Sequence, residues 1–211
     1  AKISHELRTP LAILVGEMEA LEDGFEAFNR VSLASLQAEA KRLQRLVDDL
    51  HQLSLADLGA LAQQKQALPL GALLEAVTDS FSHELRQHNL VLELVLKDDV
   101  KVWADSDKLR QLVQNLLQNS LRYTDGPGRL RITLSKQGSY ALLIWEDSAP
   151  GVFDENLDQL TERLFRVDHS RNPFGGGSGL GLAIVKAIVD AHQGQMQALH
   201  SDLGGLQWRI L

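Results

Sequence analysis

Four stretches of this sequence carry side chains whose types and spacing suit chemistry. In Ile3-Ser4-His5-Glu6-Leu7-Arg8-Thr9-Pro10, an imidazole has a carboxylate beside it and a hydroxyl one helical turn later. A solvated imidazole is mostly neutral near pH 7 and can act as a nucleophile. Glu6 could hydrogen-bond the second ring nitrogen, which raises nucleophilicity and stabilises the cation formed on attack. Asn115, Asn119 and Arg122 fall at i, i+4 and i+7, so they line one face of a helix. Amide oxygens are hard ligands for Mg²⁺, and a guanidinium can fork onto phosphate oxygens. In Trp145-Glu146-Asp147-Ser148-Ala149-Pro150-Gly151, a strand pattern ends in an acid followed by a proline–glycine turn. A carboxylate fixed there can accept a hydrogen bond from an exocyclic amine such as that of adenine. The run Gly175-Gly176-Gly177-Ser178-Gly179-Leu180-Gly181-Leu182 lets backbone N–H groups close around phosphate oxygens at a helix start.

Each stretch also has a plainer reading: a solvated helix face, an ordinary strand-end turn, a flexible linker. Helical periodicity resumes right after Leu180, which argues against a linker. The glycine run is not a P-loop, since no Gly-Lys-Ser/Thr follows, and it is not a G-x-G-x-x-G fingerprint.

The elements that must hold these groups are legible from periodicity. Leu7, Leu11, Leu14, Met18, Leu21 and Phe25 alternate steps of four and three, the seam of a long packed helix. His5 precedes Leu7 by two positions, roughly 200° around the helix, so it faces water. Pro10 should remove one backbone hydrogen bond and bend the helix just past His5. After the Asp23-Gly24 turn signal, Leu33, Leu36, Ala40, Leu43, Val47 and Leu50 define a second helix. One hairpin cannot cover both apolar stripes, so a homodimeric four-helix bundle is expected.

Leu68-Pro69-Leu70-Gly71 breaks the helical pattern and places a domain boundary between about Leu58 and Pro69. Beyond it come a helix over 72–87, a strand over 90–96 and a strand over 100–104, read as its hairpin partner after Asp98-Asp99. A helix capped by Asp105 or Ser106 should run to about Leu121. A hairpin over 130–146 turns at Gln137-Gly138. Residues 147–178 form a connection too long to be ordinary and are read as a lid. A helix over 180–192 and strands over 195–200 and 206–210 close the chain. The fold class is therefore two domains: an all-α hairpin over 1–60 that forms a dimeric four-helix bundle, then an α+β sandwich over 61–211 with a mixed, mostly antiparallel sheet.

Composition narrows the alternatives. With 44% hydrophobic and 23% charged residues, the 211-residue chain is ordinary for a folded protein. A net charge of −7 argues against a nucleic-acid partner. There is no cysteine, which excludes disulfides, thiolate zinc sites and cysteine nucleophiles. No apolar run approaches the ~20 residues of a spanning helix, so this segment is expected to make no membrane contact. The chain opens inside a helical pattern with no N-cap before it. It is therefore expected to be a piece of a longer protein.

Taken together, the four stretches resemble the cytoplasmic core of a bacterial two-component sensor histidine kinase. Residues 4–10 look like the family's H-box, 115–124 its N-box, 147–151 its G1 box and 177–182 its G2 box, in the family's order and across the whole chain. The stretches 46–53 and 147–152 look like envelope-stress sensor kinases of enteric bacteria. The resemblance implies a Bergerat-type (GHKL) ATP-binding domain, autophosphorylation of His5 from ATP·Mg²⁺, and transfer to an aspartate of a response-regulator receiver domain. By position, Asn119 would hold Mg²⁺ with Asn115 beside it, and Asp147 would take the adenine amino group. Arg122 and Tyr123 would lie at the phosphates and nucleotide, Gly151 in the adenine turn, and Arg166 at the γ-phosphate. Gly175, Gly177, Gly179, Leu180 and Gly181 would form the lid hinge and phosphate cradle. Thr9 would help place a water for dephosphorylating the regulator. Two departures bear on lid packing: Ala149 stands where the family has glycine, and Thr161 where it usually has phenylalanine. A hydrolase on the same fold would use a glutamate at position 115 to activate water. Asn115 cannot serve as that base. A scaffold without turnover would not need His5, Glu6, Asn119 and the glycine run together.

Overall fold

The computed structural model describes residues 2–25, 27–59, 61, 64–167 and 178–211. The chain divides into two compact units, Ala1–Gln52 and Leu53–Leu211.

The first unit is built on two long helices, α1 (Lys2–Glu22) and α2 (Arg30–Asp57), whose last residues pass into the second unit. α1 ends at Asp23 and Gly24, whose φ of +73° suits a residue without Cβ. Asn29 starts α2: its Oδ1 accepts from the N–H groups of Val31 (2.7 Å) and Ser32 (3.1 Å). Ser32 Oγ reciprocates by accepting from Asn29 N–H at 3.0 Å, a capping box. Leu46 is buried, and Leu7, Leu14, Leu36, Leu43 and Leu50 are half-buried along the seam. Leu11 (49% exposed), Met18 (54%), Leu33 (41%) and Val47 (51%) are left uncovered.

The second unit is a sandwich of helices on a sheet. In order its elements are β1 (Lys65–Pro69), α3 (Leu70–Ser80), α4 (Ser82–Gln87), β2 (Leu90–Leu96) and β3 (Lys101–Asp105). Then follow α5 (Ser106–Tyr123), β4 (Gly128–Gln137), β5 (Tyr140–Ser148), α6 (Asp154–Leu157), α7 (Gly181–Ala191), β6 (Met196–His200) and β7 (Gly204–Ile210). The five-stranded sheet has the order β2-β4-β5-β7-β6; β2 pairs β4 in parallel and every other pair is antiparallel.

Period-2 alternation sorts the strand faces. Leu130, Ile132 and Leu134 of β4 are fully buried, with Trp145 and Trp208 beside them. Against this face pack Leu112, Val113, Leu116 and Leu117 of α5 and Ile184, Val185, Ile188 and Val189 of α7. The outer face carries a cross-strand charge row: Arg131 stands opposite Glu93 on β2 and Glu146 on β5, and its Nε donates to Glu93 at 2.9 Å.

Two expectations are corrected. Strand β3 does not pair with β2; it pairs antiparallel with β1, at the domain boundary where no strand is expected from the sequence. The chain after β2 stays attached to β4, because Lys97 N–H donates to Leu134 O and Asp98 Oδ2 accepts from Lys136 N–H at 2.7 Å. Asp98 therefore closes no hairpin turn. The single helix expected over 72–87 is two helices, α3 and α4, which part at Phe81 (φ −95°, ψ 1°).

Candidate active site

On α1, His5 is exposed, as helical phase demanded. Helix hydrogen bonding continues on both sides of Pro10, which is buried. The missing proline N–H leaves the Glu6 carbonyl without its usual donor. Thr9 Oγ1 turns back and donates to the His5 carbonyl at 3.2 Å, which holds its hydroxyl on the histidine's side of the helix. Glu6 is half-buried, and no hydrogen bond joins its carboxylate to the His5 ring.

The second unit brings α5 and the start of α7 together. Asp105 caps α5: its Oδ1 accepts from Asp107 N–H (3.1 Å) and Lys108 N–H (3.2 Å). With Leu112, Val113, Leu116 and Leu117 turned inward, Asn115 and Asn119 fall half-buried on the other side, and Arg122 and Tyr123 are exposed. Asn115 Nδ2 is buried with no partner among the described residues. Asn115 Oδ1 lies 4.0 Å from where a Cβ on Gly181 would stand. Gly181 opens α7, whose N-terminus has no side-chain cap. The amide thus sits beside the N–H groups of a helix start, which favour an anion.

The glycine run is held from below. Leu164 N–H donates to Gly179 O at 2.9 Å, and a Cβ on Gly179 would come 3.0 Å from Leu164 Cα. Gly179 has φ +68° and buried Leu164 has φ +63°, an uncommon left-handed conformation for a leucine. Arg166, two residues on, is half-buried and its Nε has no partner among the described residues. Thr161 is half-buried. Arg163 donates to both carboxylate oxygens of Asp57 on the last turn of α2, at 3.1 and 2.5 Å. That guanidinium holds the Asp57 carboxyl below its ordinary value. Gly175 and Gly177 lie outside the described residues.

Asp147 ends β5 deep in the unit, 6% exposed. Its Oδ1 accepts from Leu206 N–H at 2.7 Å and its Oδ2 from Ser120 Oγ at 3.3 Å. Ser120 Oγ in turn accepts from Trp145 Nε1 at 3.0 Å, the partner a buried indole needs. Burial pushes the Asp147 carboxyl up from 3.8 to about 6, against the lowering effect of these donors. A Cβ on Gly205 would stand 2.5 Å from Asp147 Oδ1 and 2.3 Å from Ser148 O, so β7 reaches this carboxylate only as glycine. A Cβ on Gly151 would stand 3.3 Å from Gly205 O. Ala149 fits in place of glycine, its Cβ 4.0 Å from the Cβ position of Gly204.

Ser120 and Gly205 were not singled out from the sequence. Ser120 follows Asn119, and its small hydroxyl on the buried face of α5 was the available signal. Thr124, which follows α5, has a buried Oγ1 with no partner among the described residues.

A buried carboxylate, an unpartnered amide and a glycine-opened helix N-terminus fit a ligand with an amine-bearing base and a phosphate tail. Among the described residues there is no cluster of three or more His, Cys, Asp or Glu that could hold a metal. An Mg²⁺ here would be held by asparagine oxygens together with phosphates, which suits that ion.

Comparison with known proteins gives the class. Residues 1–59 match the family described as His Kinase A (phospho-acceptor) domain, and residues 104–210 the family of histidine kinase-, DNA gyrase B- and HSP90-like ATPases. With both in this order, the chain belongs to the sensor histidine kinases. It is 51% identical over 206 residues to the signal transduction histidine-protein kinase BaeS of Escherichia coli, covering 98% of this chain and 44% of that protein. It thus spans less than half the length of that relative. The structure of the Acinetobacter baumannii histidine kinase AdeS superposes with a TM-score of 0.83 at 32% identity, covering 98% of this chain and 95% of that one. The histidine kinase ThkA, solved in complex with response regulator protein TrrA, shares the fold with a TM-score of 0.79 at 20% identity, covering all of this chain and 59% of that one.

Proposed function

We propose that this chain autophosphorylates His5 from ATP and passes the phosphoryl group to an aspartate on a response-regulator receiver domain. Residues 1–60 would serve as the dimerisation and phosphoacceptor domain, and 61–211 as the nucleotide domain. A ring nitrogen of His5 attacks the γ-phosphorus; the N–P bond forms as the bond to the β–γ bridging oxygen breaks, and ADP leaves. Glu6, the next residue, would turn its carboxylate to the second ring nitrogen, hold the proton there and stabilise the imidazolium. In the second transfer the N–P bond breaks as the regulator's carboxylate oxygen takes the phosphorus. Thr9, anchored on the His5 carbonyl, would place a water for dephosphorylation of the regulator.

Asp147 accepts from the adenine amino group, with Gly151 keeping the turn beside it open. Arg122, Tyr123 and Arg166 meet the nucleotide and its phosphates. Gly175, Gly177, Gly179, Leu180 and Gly181 cradle them. Asn119 and Asn115 hold Mg²⁺, which supplies charge neutralisation across the phosphates. The observation that carries this reading is an exposed His5 in the same chain as a cleft whose Asn115 amide has no protein partner.

The uncovered Leu11, Met18, Leu33 and Val47 support a homodimer, in which a second hairpin would complete the bundle. Among the described residues no helix is long and apolar enough to cross a membrane. The resemblance of residues 46–53 and 147–152 to envelope-stress sensor kinases of enteric bacteria supports a cytoplasmic segment of an inner-membrane sensor that responds to envelope stress.

The test is incubation with γ-labelled ATP and Mg²⁺. Acid-labile, base-stable label on the chain is expected, lost in His5→Ala and sharply reduced in Asn119→Ala with the dimer intact. Label that survives His5→Ala overturns the assignment.

A further inference from the structure

A cavity of about 460 Å³ opens between the first half of α5, the end of α7 and the β4–β5 turn. It shares no residue with the nucleotide cleft. Its floor is apolar and buried: Leu112, Val113, Leu143, Val189 and Ile210 are each at most 8% exposed. Its rim carries two aromatic side chains that water reaches freely, Trp103 (69% exposed) and Tyr140 (60%), and two lysines, Lys101 and Lys136. Neither ammonium group has a hydrogen-bond or ion-pair partner among the described residues. The chain has 28 acidic residues and a net charge of −7, yet no aspartate or glutamate lines this cavity. Asp98, which accepts from the Lys136 backbone N–H at 2.7 Å, stands outside the lining.

A volume of this size falls within the ~300–1,000 Å³ of small-molecule sites, which pair an apolar lining with a few placed polar groups. We propose that the cavity binds small amphipathic organic anions. The ligand's flat apolar body lies on the Leu112–Ile210 floor between Trp103 and Tyr140. Its sulfonate or carboxylate group meets Lys101 and Lys136. The apolar floor supplies most of the affinity; the two lysines choose the sign of the headgroup.

The probe is 8-anilinonaphthalene-1-sulfonate, followed by its fluorescence on the full chain saturated with a non-hydrolysable ATP analogue. The neutral N-phenyl-1-naphthylamine, which lacks the sulfonate, is titrated in parallel. One saturable sulfonate site per chain is expected to persist under nucleotide. Lys101→Ala/Lys136→Ala should weaken it about tenfold, the size of two exposed ion pairs. The neutral probe should bind the double variant as it binds the parent. Both lysines are exposed, so the variant's melting curve should match the parent's. The proposal is overturned if nucleotide displaces the sulfonate, or if the double variant binds both probes unchanged. It is also overturned if probe binding fades as chain concentration rises, because a second copy would then be the occupant.

Discussion

Asp147 gives a prediction in which stability and function move in opposite directions. Its carboxyl, pushed from 3.8 to about 6 by burial, is ionised at neutral pH against the preference of its surroundings. At about 1.36 kcal/mol per tenfold change in acidity, that displacement costs the folded unit about 3 kcal/mol at pH 7. The direction follows from proton counts. Below about pH 4 the group is protonated in both folded and unfolded chains and costs nothing. Between about 4 and 6 the folded chain binds more protons, so stability falls as pH rises; above about 6 the full cost is present. An asparagine keeps a carbonyl acceptor for Leu206 N–H at 2.7 Å and can offer its NH₂ to Ser120 Oγ at 3.3 Å. Asp147→Asn should therefore stabilise the chain by about 1–3 kcal/mol at pH 7.5, roughly 3–10 °C in melting temperature. The gain should shrink to about a third of that at pH 4.5. The same variant should lose nucleotide affinity, because an amide NH₂ would face the adenine amine donor to donor. Thermal melts of parent and variant across this pH range, with nucleotide titrations at pH 7.5, read both effects. A variant less stable than the parent at pH 7.5, or a gap that does not narrow on acidification, would refute the reasoning.

Further expectations concern the supports of the cleft. Gly205→Ala places a methyl 2.3 Å from Ser148 O and 2.5 Å from Asp147 Oδ1, so it should destabilise by about 1–3 kcal/mol and weaken nucleotide binding, both read by melts and titration. His192 Nε2 accepts from Asp105 N–H at 3.0 Å, which puts the ring proton on Nδ1, where it is donated to Ile188 O at 2.8 Å. His192→Ala should cost about 1–3 kcal/mol in a denaturant titration, since it leaves the Asp105 donor without a partner. In the helical unit, Met18→Glu/Val47→Glu should turn a sedimenting dimer into a monomer at micromolar concentration; an unchanged dimer would show that these residues lie off the interface.

Periodicity made the long elements legible. The heptad-like seam of α1 and α2, the amphipathic α5 and the β4–β5 hairpin at Gln137-Gly138 all stand where their patterns put them. Strand β1 was hidden because Lys65-Gln66-Ala67-Leu68 follows an Ala/Leu/Gln-rich helical run and earns its strand only by pairing with β3. The β2–β3 hairpin was a false local solution: Asp98-Asp99 has turn chemistry, but the side chain of Asp98 serves β4 instead. The split at Phe81 leaves the apolar spacing intact across both helices, so periodicity could not reveal it. In the candidate site, His5, Asn115, Asn119 and Asp147 could be picked out by type and spacing. Ser120 and Gly205 did not, since a buried serine and a close-approach glycine acquire meaning only from what the fold sets against them.

The tie between Asp105 and His192 acts at a distance. It joins the start of α5 to the end of α7, and Lys65 Nζ reinforces it by donating to Ala191 O at 2.9 Å. From this joint each helix runs about 15 Å, at 1.5 Å per residue, to the place where Asn115 and Gly181 face each other. The pair is geometrically a set of tongs, riveted at one end and open at the other. Over that lever arm, a tilt of about 4° at the rivet moves the tips by about 1 Å, enough to spoil the alignment of reacting groups. The width of the candidate cleft is thus set partly at the far end of the domain, by a histidine that stands outside it.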